Sequence, residues 1–370
     1  MSEKVCIVYS DILTVYGHGV SCCMKGLFEN RTGFAQVTRF QSNAPEPAVA
    51  ACFPEEILPG AGDCLAGASL VFLLEKMMEK ISFRGEMPTF FFALTQGEIS
   101  KLDNPEKLWT AQVLVRELAG YYPVNNRSRI FSASCASGNI ALARASAEIE
   151  RGFPGPILVA GCDVVSEFTY AGFSSVHAVT PGVCRPYDIS HDGLLLGDAA
   201  GVILLASEKT AQKNGWPILA LLDGYGITTD SYHAAAPDPE GVQMALAIEK
   251  VLLRDPGRRV AGIIGHGTGP ALNDDMEIAA LAKVFPHGVP LASVKGGTGH
   301  ILAASGIVQA ACAAGCLERG MMFPQTSLQT PQKGAEKFVS AKEQALQGDW
   351  ILTLNAGFGG LNAAIGIRRY

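Results

Sequence analysis

Apolar and polar positions along the chain follow two alternating patterns. Short apolar runs, typical of strands buried on both faces, cover residues 5–9, 89–94, 157–161, 200–207, 218–226, 260–265, 290–294, 350–355 and 362–367. Helical patterning covers residues 20–29, 67–80, 104–118, 208–215, 239–254, 273–285 and 301–317. The alternation predicts an α/β fold with a mostly parallel sheet in each half of the chain. Because the charged helix 208–215 separates the halves, the predicted units are residues 1–207 and 208–370.

Residues 127–152 form the central segment of this prediction. The segment begins as a short strand, turns through three small residues at 132–134, and continues as an alanine-rich helix that ends at Gly152. Residues 293–306 repeat the same plan of strand, small-residue turn, reactive side chain and alanine-rich helix. The repetition predicts a duplicated fold in which each half supplies one reactive residue.

Cys135 lies at the strand-to-helix junction of the first of these two segments. Unpaired backbone N–H groups and the positive end of the helix dipole converge at such a junction and favour the thiolate, which is the nucleophilic form. The alternative is a small buried apolar side chain, which is the usual situation of a free cysteine. This segment alone leaves both interpretations open.

Composition narrows the classes of function. The chain has 370 residues, of which 48% are hydrophobic and 17% charged, and its net charge of −6 argues against a nucleic-acid or polybasic membrane surface. It contains no apolar run of about 18 residues for a membrane span, and its N-terminus lacks the apolar core of a signal peptide. The ten cysteines show no paired metal-ligand spacing. We therefore expect a cytoplasmic protein with reduced thiols and no metal.

Further polar residues follow a strand of the second half, where open α/β sheets build their sites. His266 ends this strand between two glycines. Asn273 is expected to cap the next helix, and its acidic first turn suits the helix dipole. Asp274 and Asp275 are interpreted as helix-capping residues. A phosphate-binding loop is the alternative, but Pro270 stands where a Gly-x-Gly-x-x-Gly pattern would need its last glycine.

Two more segments carry candidate residues, and each has an ordinary alternative. Lys295 and His300 lie in the small-residue turn of the second half. A lone lysine in such a turn is more often a surface charge, and a lone histidine is more often a core residue. The loop 355–360 follows a strand, and a plain glycine-rich turn would also explain it.

Together these motifs resemble those of the β-ketoacyl-acyl-carrier-protein synthases, which are decarboxylating condensing enzymes of the thiolase superfamily. The motifs, in the family's order, are Ala-Ser-Cys135-Ala-Ser-Gly, the loop from Cys184 to Gly201, His266-Gly-Thr-Gly with Asn273, Asp274 and Glu277, Lys295 to His300, and Gly357-Phe358-Gly359-Gly360. The resemblance covers nearly the whole chain and indicates the Cys-His-His subgroup. Thiolases are similar in fold but use a second cysteine near the C-terminus, and no cysteine follows Cys316 here.

The resemblance implies a duplicated thiolase-like fold, with two pseudo-symmetric βαβ halves in α-β-α-β-α layers. It also implies that Cys135 takes up an acyl group as a thioester, and that the N–H groups of Cys135 and Phe358 form the oxyanion hole. His266 and His300 would hold the carbonyl of a malonyl thioester and stabilise the enolate formed by decarboxylation. Phe358 would also gate the acyl pocket.

The remaining site residues are implied in the same way. Lys295 would pair with Glu277 and tune the field on the histidines. Thr268, Gly357 and Gly359 would contact the substrate.

The implied reaction is a decarboxylative Claisen condensation of the acyl group with malonyl-acyl carrier protein. The product would be a 3-oxoacyl-acyl carrier protein in fatty-acid, polyene or polyketide-type biosynthesis. The substrates would arrive on the phosphopantetheine of an acyl carrier protein, with no separate cofactor. The expected assembly is a homodimer, or a heterodimer with a related ketosynthase subunit. Candidates for docking the acidic carrier protein are Lys209, Lys213, Arg254, Arg258 and Arg259, although a solvated face explains them equally well.

The chain departs from the family pattern at three positions. Pro270 replaces a second threonine that helps to hold the phosphopantetheine arm. Ala356 replaces a phenylalanine that precedes the gate by two residues, and His191 replaces an arginine before Asp192. The segment 94–127, which often shapes dimer contacts and the acyl tunnel, is also short for the family.

The competing hypothesis is a non-catalytic partner subunit, similar to the chain-length factors that pair with active synthases. Such subunits lack the nucleophilic cysteine, whereas this chain retains Cys135. The residues therefore favour an acyltransferase over a scaffold.

Overall fold

The computed structural model describes residues 3–41, 47–54, 56–58, 60–62, 64–83, 87–97, 111–122 and 124–370. The helices are α1 (Val20–Phe28), α2 (Leu65–Lys80), α3 (Ala111–Tyr121), α4 (Ser137–Glu150), α5 (Glu167–Ser175), α6 (Glu208–Asn214), α7 (Val242–Leu252), α8 (Ala271–Val284), α9 (Lys295–Thr298) and α10 (Ser305–Arg319). The strands are β1 (Val5–Thr14), β2 (Gly17–His18), β3 (Ala35–Gln36), β4 (Val49–Ala51), β5 (Thr89–Ala93), β6 (Arg129–Phe131), β7 (Ile157–Asp163), β8 (Leu196–Gly197), β9 (Ala199–Ser207), β10 (Ala220–Thr229), β11 (Val260–Ile264), β12 (Leu291–Ala292), β13 (Met321–Met322), β14 (Gln344–Ala345), β15 (Trp350–Gly357) and β16 (Leu361–Arg368).

The largest sheet has the same topology in both halves. Its order is β12-β11-β15-β16-β10-β1-β9-β7-β5-β6. From the centre outward, β10, β16, β15, β11 and β12 of the second half correspond to β1, β9, β7, β5 and β6 of the first. In each half the three outer strands are parallel to one another, and the two inner strands pair antiparallel. This arrangement confirms the duplicated α/β fold.

The expectation of mostly parallel strands was wrong, because each half contains a mixed sheet. Strands β15 and β16 show the reason most directly. Only residues 358–360 separate them, and a connection this short can join only antiparallel neighbours. The division of the chain at residue 207 stays a prediction, since β1 and β10 pair across it.

Helices α4 and α10 lie in the middle of the layers. Each contacts strands of both halves, and a core cluster that draws on both halves surrounds them. Helices α2 and α3 cover one outer side with a second cluster, and α7 and α8 cover the other with a third. The resulting order is helix, sheet, helix, sheet, helix.

Most predicted elements are present with shifted ends. The strand predicted at 89–94 is buried along its whole length as β5. The start of the helix predicted at 104–118 lies outside the described residues, and its later part corresponds to α3. The strand predicted at 5–9 continues to Thr14, because β9 pairs with it along this length.

Two glycines allow the central helices to approach closely. A methyl group on Gly306 of α10 would stand 2.7 Å from the Gly138 carbonyl carbon of α4, and a methyl group on Gly138 would stand 2.8 Å from the Ala303 oxygen. Neither position has room for a side chain without moving a backbone. The two helices therefore set each other's position.

We expect Gly306→Ala to destabilise the fold by about 1–3 kcal/mol, because the added methyl overpacks this crossing. The control is Gly172→Ala on α5, where a methyl would meet nothing within 4 Å. That change should be neutral or stabilising by up to about 1 kcal/mol, since alanine favours helix more than glycine does. Urea unfolding measures both free energies. Equal stability of Gly306→Ala and wild type would contradict the argument.

Candidate active site

Cys135 sits in a tight turn between β6 and α4. Ser134 has a left-handed backbone with φ of 50°, a conformation that non-glycine residues adopt at an energetic cost. Ser137 braces the turn, since its hydroxyl donates to the Ser134 carbonyl at 2.6 Å and accepts from the Ala133 N–H at 2.8 Å. The sulfur is thereby held two residues before the helix begins, with the Cys135 residue only 7% exposed.

His300 reaches the same point from the second half. It follows α9 and Gly299, whose φ of 72° turns the chain, and its N–H donates to the Leu195 carbonyl at 2.7 Å. Its Nε2 lies 3.0 Å from Cys135 Sγ. The ring of His266 stands edge-on to it, with centroids 5.7 Å apart. The structure thus brings together the sulfur and the two imidazoles that the sequence singled out.

The surroundings of Cys135 do not favour the thiolate that its place before a helix led us to expect. Burial raises the pKa of the Cys135 thiol to about 12, although the charge of Lys295 opposes this shift. Burial, followed by the charge of Lys295, holds the pKa values of His266 and His300 well below their ordinary value. The site therefore holds a thiol beside neutral imidazoles, and a base must remove the thiol proton.

Lys295 and Glu277 do not form the expected direct ion pair. Lys295 Nζ donates to the His266 carbonyl oxygen at 2.7 Å. Glu277 accepts from the N–H groups of His266 and Gly267 at 2.7 and 2.8 Å, and from the Tyr187 hydroxyl at 2.7 Å. Both charged residues thus bind the backbone of His266, Lys295 at its carbonyl and Glu277 at its N–H. Burial raises the pKa of the Glu277 carboxyl, and the two N–H groups oppose that shift.

The caps expected at the start of α8 were also wrong. The helix begins at Ala271, so Asn273 lies inside its first turn and donates to the Thr268 hydroxyl at 3.3 Å. Asp274 turns back to the preceding loop, where one oxygen accepts from the Thr268 and Gly269 N–H groups at 3.0 and 3.2 Å. A carboxylate can satisfy several loop donors at once, which a cap on its own helix would not require.

His191 and Asp275 have structural contacts that the sequence left open. His191 Nδ1 lies 3.5 Å from an Asp274 oxygen, and this carboxylate raises the pKa of His191. Asp275 accepts from the side-chain amide of Gln332 at 2.8 Å. His191 therefore places a titratable cation against the carboxylate that holds the Thr268 loop.

A cavity of about 380 Å³ opens over the reactive side chains. The predicted site residues that line it are Cys135, His266, His300, Gly357 and Phe358. Two of the three departures from the family pattern, Pro270 and Ala356, line it as well. Its size and mainly apolar wall suit an organic ligand.

The remaining predicted site residues lie behind or beside the cavity wall. Lys295 and Glu277 are fully buried behind it. Thr268, which was expected to contact substrate, is 1% exposed, and its hydroxyl accepts from the side-chain amide of Asn273. Gly359 lies on the outer side of its turn, where its N–H donates to the Ala234 carbonyl at 2.8 Å.

Phe358 is 42% exposed at the cavity wall. Its ring stacks on Phe173 at 5.8 Å, and Phe173 in turn meets His300 edge-on at 6.3 Å. Phe173 was missed in the sequence, because one aromatic residue in a helix carries no signal of its own. The gating role of Phe358 stays a prediction.

Asp163 is a second residue that the sequence analysis missed. It ends β7, accepts from the Thr95 hydroxyl and the Ala303 N–H at 2.7 Å each, and raises the pKa of Cys135. Burial raises the pKa of Asp163 itself to about 7. A charged residue at the end of a fully apolar strand was the available signal.

The basic docking candidates do not reach the cavity. Arg254 bonds Glu150 at 2.7 Å, at the opposite end of α4 from Cys135. Arg258 bonds Asp349 at 2.6 Å, and Lys209 and Lys213 lie on α6. Among the described residues that line the cavity there is no lysine or arginine.

The described part of the chain has neither a clustered metal site nor a membrane-spanning helix. Within it, no group of three or more histidine, cysteine or acidic side chains is arranged to hold a metal ion. No helix there combines the length and apolar character needed to cross a membrane.

Solved structures with the same fold are numerous. A beta-ketoacyl synthase from Burkholderia phymatum superposes over the whole of both chains with a TM-score of 0.87 at 20% identity. The ishigamide ketosynthase/chain length factor matches with 0.85 at 23% identity, again over both whole chains. A ketosynthase in complex with its chain length factor from Xenorhabdus doucetiae matches with 0.85 at 22% identity, over all of this chain and 98% of that one. These likenesses establish the thiolase-like architecture.

Sequence comparison then gives the family. The beta-ketoacyl synthase N-terminal domain matches residues 122–211, and the C-terminal domain matches residues 219–329. Together the two matches cover more than half of the chain, which belongs to the beta-ketoacyl synthase family.

Curated relatives include the 3-oxoacyl-[acyl-carrier-protein] synthase 2 proteins of Synechocystis sp. and Staphylococcus aureus. Each is 28% identical to this chain, over 251 and 250 residues respectively. In both cases the match covers 64% of this chain but only 60% of the relative.

We expect alkylation of Cys135 by iodoacetamide to accelerate about tenfold per pH unit between about pH 7 and 9, because only the thiolate reacts and burial keeps the thiol protonated in this range. Peptide-resolved mass spectrometry measures the rate, with the exposed Cys22 as an internal reference for reagent. A rate at Cys135 that levels off below pH 8 would show that the helix end and Lys295 outweigh burial.

Proposed function

We propose that the chain is a decarboxylating condensing enzyme that joins an acyl group held on Cys135 to a malonyl unit on an acyl carrier protein. The observation that carries the proposal is the 3.0 Å contact of Cys135 Sγ with His300 Nε2, beside the ring of His266, in one open cavity. A nucleophile, a base and a second neutral imidazole are the groups that this chemistry requires.

Acyl transfer comes first. His300 Nε2 takes the Cys135 thiol proton as the sulfur attacks the incoming thioester, and the N–H groups of Cys135 and Phe358 stabilise the oxyanion. The carbon–sulfur bond to the carrier breaks, and the departing thiolate takes the proton from His300. The acyl group is then on Cys135. Because His300 Nδ1 has no hydrogen-bond partner among the described residues, neither tautomer of this ring is locked, and Nε2 can accept a proton in one step and donate one in another.

Decarboxylation follows on the malonyl thioester. The carbon–carbon bond to the carboxylate breaks and carbon dioxide leaves. The electrons of that bond move onto the thioester, where the carbonyl oxygen becomes the enolate oxygen. His266 and His300 each donate an N–H to that oxygen. Neutral imidazoles suit this role, and the low pKa values of both rings keep them neutral. The enolate carbon then attacks the acyl carbonyl, and Cys135 leaves as a thiolate that takes up a proton.

The cavity wall favours a substrate carried by a protein. No described lysine or arginine lines the wall to hold the phosphates of a free coenzyme, whereas a pantetheine arm is uncharged along most of its length. The curated relatives are named for an acyl-carrier-protein substrate, and one solved neighbour is a ketosynthase in complex with an acyl-carrier protein. We therefore propose an acyl carrier protein as the partner.

The proposed assembly is a pair of ketosynthase-type chains. Two of the solved neighbours pair a ketosynthase with a chain length factor. Either a second copy of this chain or a related subunit would complete the pair.

We expect incubation with an acylated carrier protein to add the mass of the acyl group to the wild-type chain. Cys135→Ala should add none, because it lacks the nucleophile, while Cys22→Ala serves as the matched control and should acylate normally. Intact-protein mass spectrometry across several chain lengths measures this. A wild-type chain that stays unmodified with every donor would favour the alternative of a non-catalytic partner subunit.

Variants of the two histidines should separate the two steps. His266→Ala should retain acylation of Cys135 but lose malonyl decarboxylation by about 100- to 1000-fold, the usual cost of one oxyanion donor. His300→Ala should lose both, because it also removes the base, which contributes about 100- to 10,000-fold. Burst acylation and release of labelled carbon dioxide measure the steps separately. Equal effects of the two variants on acylation would contradict these roles.

A further inference from the structure

The amide groups of Asn355 and Gln309 lie directly behind the two histidines. Asn355 stands on β15 and Gln309 on α10, and both side chains are fully buried. The mechanism above uses neither residue. Both are neutral and contact each other, and Asn355 also contacts the charged Lys295.

Hydrogen bonds to the backbone fix the orientation of the Gln309 side-chain amide. Its side-chain NH₂ donates to three main-chain carbonyls, those of Ile264 at 3.3 Å, Gly265 at 2.6 Å and Leu354 at 3.2 Å. An amide oxygen in that position would face three acceptors, so the other orientation is excluded. The Gln309 oxygen must therefore point toward Asn355.

The orientation of Asn355 follows from that of Gln309. The Asn355 NH₂ donates to the Gln309 oxygen, which turns the Asn355 oxygen toward Lys295 Nζ at 3.4 Å and His266 Nδ1 at 3.3 Å. Three backbone carbonyls thus fix an amide oxygen at a set place beside the active site.

The lysine now has one acceptor for each of its hydrogens. Lys295 Nζ faces the His266 carbonyl at 2.7 Å, the Asn355 oxygen at 3.4 Å and His266 Nδ1 at 3.5 Å. An ammonium group has three donors and no lone pair. A hydrogen on His266 Nδ1 would donate to the Asn355 oxygen at 3.3 Å, but it would leave one ammonium hydrogen facing another donor and without an acceptor. The ring proton therefore belongs on Nε2, and Nδ1 accepts from Lys295.

We propose that Asn355 is a positioning residue, which together with Lys295 holds the proton of His266 on Nε2, where it can be donated to the enolate oxygen. The consequence for decarboxylation rests on the proposed function. The tautomer itself does not.

A neutral amide suits this task better than a carboxylate. It accepts a hydrogen bond from the ammonium without cancelling its charge, and that charge helps to keep both histidines neutral.

When Lys295 loses its proton, the Asn355 oxygen can accept from a hydrogen on Nδ1, and the ring is free to change tautomer. Burial lowers the pKa of Lys295 to about 8. The Nε2–H form should therefore prevail below this pH and give way above it.

Several other ionisable groups lie around Lys295. They are the carboxyls of Glu277 and Asp274, the thiols of Cys135 and Cys184, and the imidazoles of His266 and His300. The carboxylates raise the pKa of Lys295, but less than burial lowers it. A new carboxylate at position 355 would add a closer negative charge.

The test is ¹⁵N NMR of histidine-labelled, unliganded protein from about pH 6 to 10, because the shifts of the two ring nitrogens distinguish the tautomers. The chain has seven histidines, and His266→Gln assigns the signal. We expect Nε2–H at low pH and a change of tautomer near the pKa of Lys295.

Asn355→Asp should move the pH of this tautomer change upward by about one to three pH units, since an opposite charge at this distance stabilises the ammonium. Asn355→Ser, which lacks the reach of the amide oxygen, should move it downward.

The matched control is Asn139→Asp. Asn139 is an equally buried amide that donates to the carbonyls of Thr353 and Ala363 at 3.3 and 3.2 Å and contacts neither Lys295 nor a histidine. It should leave the His266 midpoint unchanged. If Asn355→Asp does not fold, Asn355→Ser carries the test alone. A His266 ring with Nδ1–H at low pH, or a midpoint that neither Asn355 variant moves, would overturn the proposal.

A kinetic measurement distinguishes this proposal from the proposed function. With wild-type decarboxylation established, Asn355→Ser should lower kcat by up to about 100-fold, the low end for a lost oxyanion donor, at nearly unchanged KM. If the wild type does not decarboxylate malonyl thioesters, the proposed function fails while the NMR result stands. A normal kcat in Asn355→Ser would overturn the positioning role.

Discussion

The contact between α4 and α10 is the constraint on which the site depends. Helix α4 begins at Ser137, two residues after Cys135, and α10 begins at Ser305, five residues after His300. Gly138 and Gly306 let the helices meet without side chains between them. The 3.0 Å distance between the sulfur and Nε2 is therefore a result of helix packing as much as of either turn.

Burial has opposite effects on the groups collected there. It keeps the Cys135 thiol protonated and the two imidazoles neutral. It also removes Lys295 from water, so that its charge acts strongly on its neighbours. On its reactive side Lys295 thus faces neutral groups, and Glu277 and Asp274 are bound to backbone N–H groups behind it. A developing enolate would be the charge that best complements this arrangement.

The sequence predicted the alternation of elements, the duplication and the three reactive side chains, because these depend on local patterning and recognisable motifs. It did not predict that more than half of the strand pairings in the largest sheet would be antiparallel, since apolar runs carry no information about direction. It also assigned Asn273 and Asp274 to helix caps and Lys295 to a pair with Glu277. The two capping errors share one cause: a polar side chain near a helix start can turn to its own helix or to the preceding loop, and only tertiary packing decides which. Asn355 and Gln309 gave no signal, because a lone buried amide has meaning only beside its partner.

The turn that carries Cys135 has a further consequence. Ser137 and the backbone hold its shape, and Gly357 packs against it, so the sulfur atom itself contributes little to keeping the chain in place. Exchanging that atom for oxygen would end the chemistry and leave the architecture intact. Fold and reactivity can therefore be lost independently at this position, because the contacts that shape the turn belong to its neighbours.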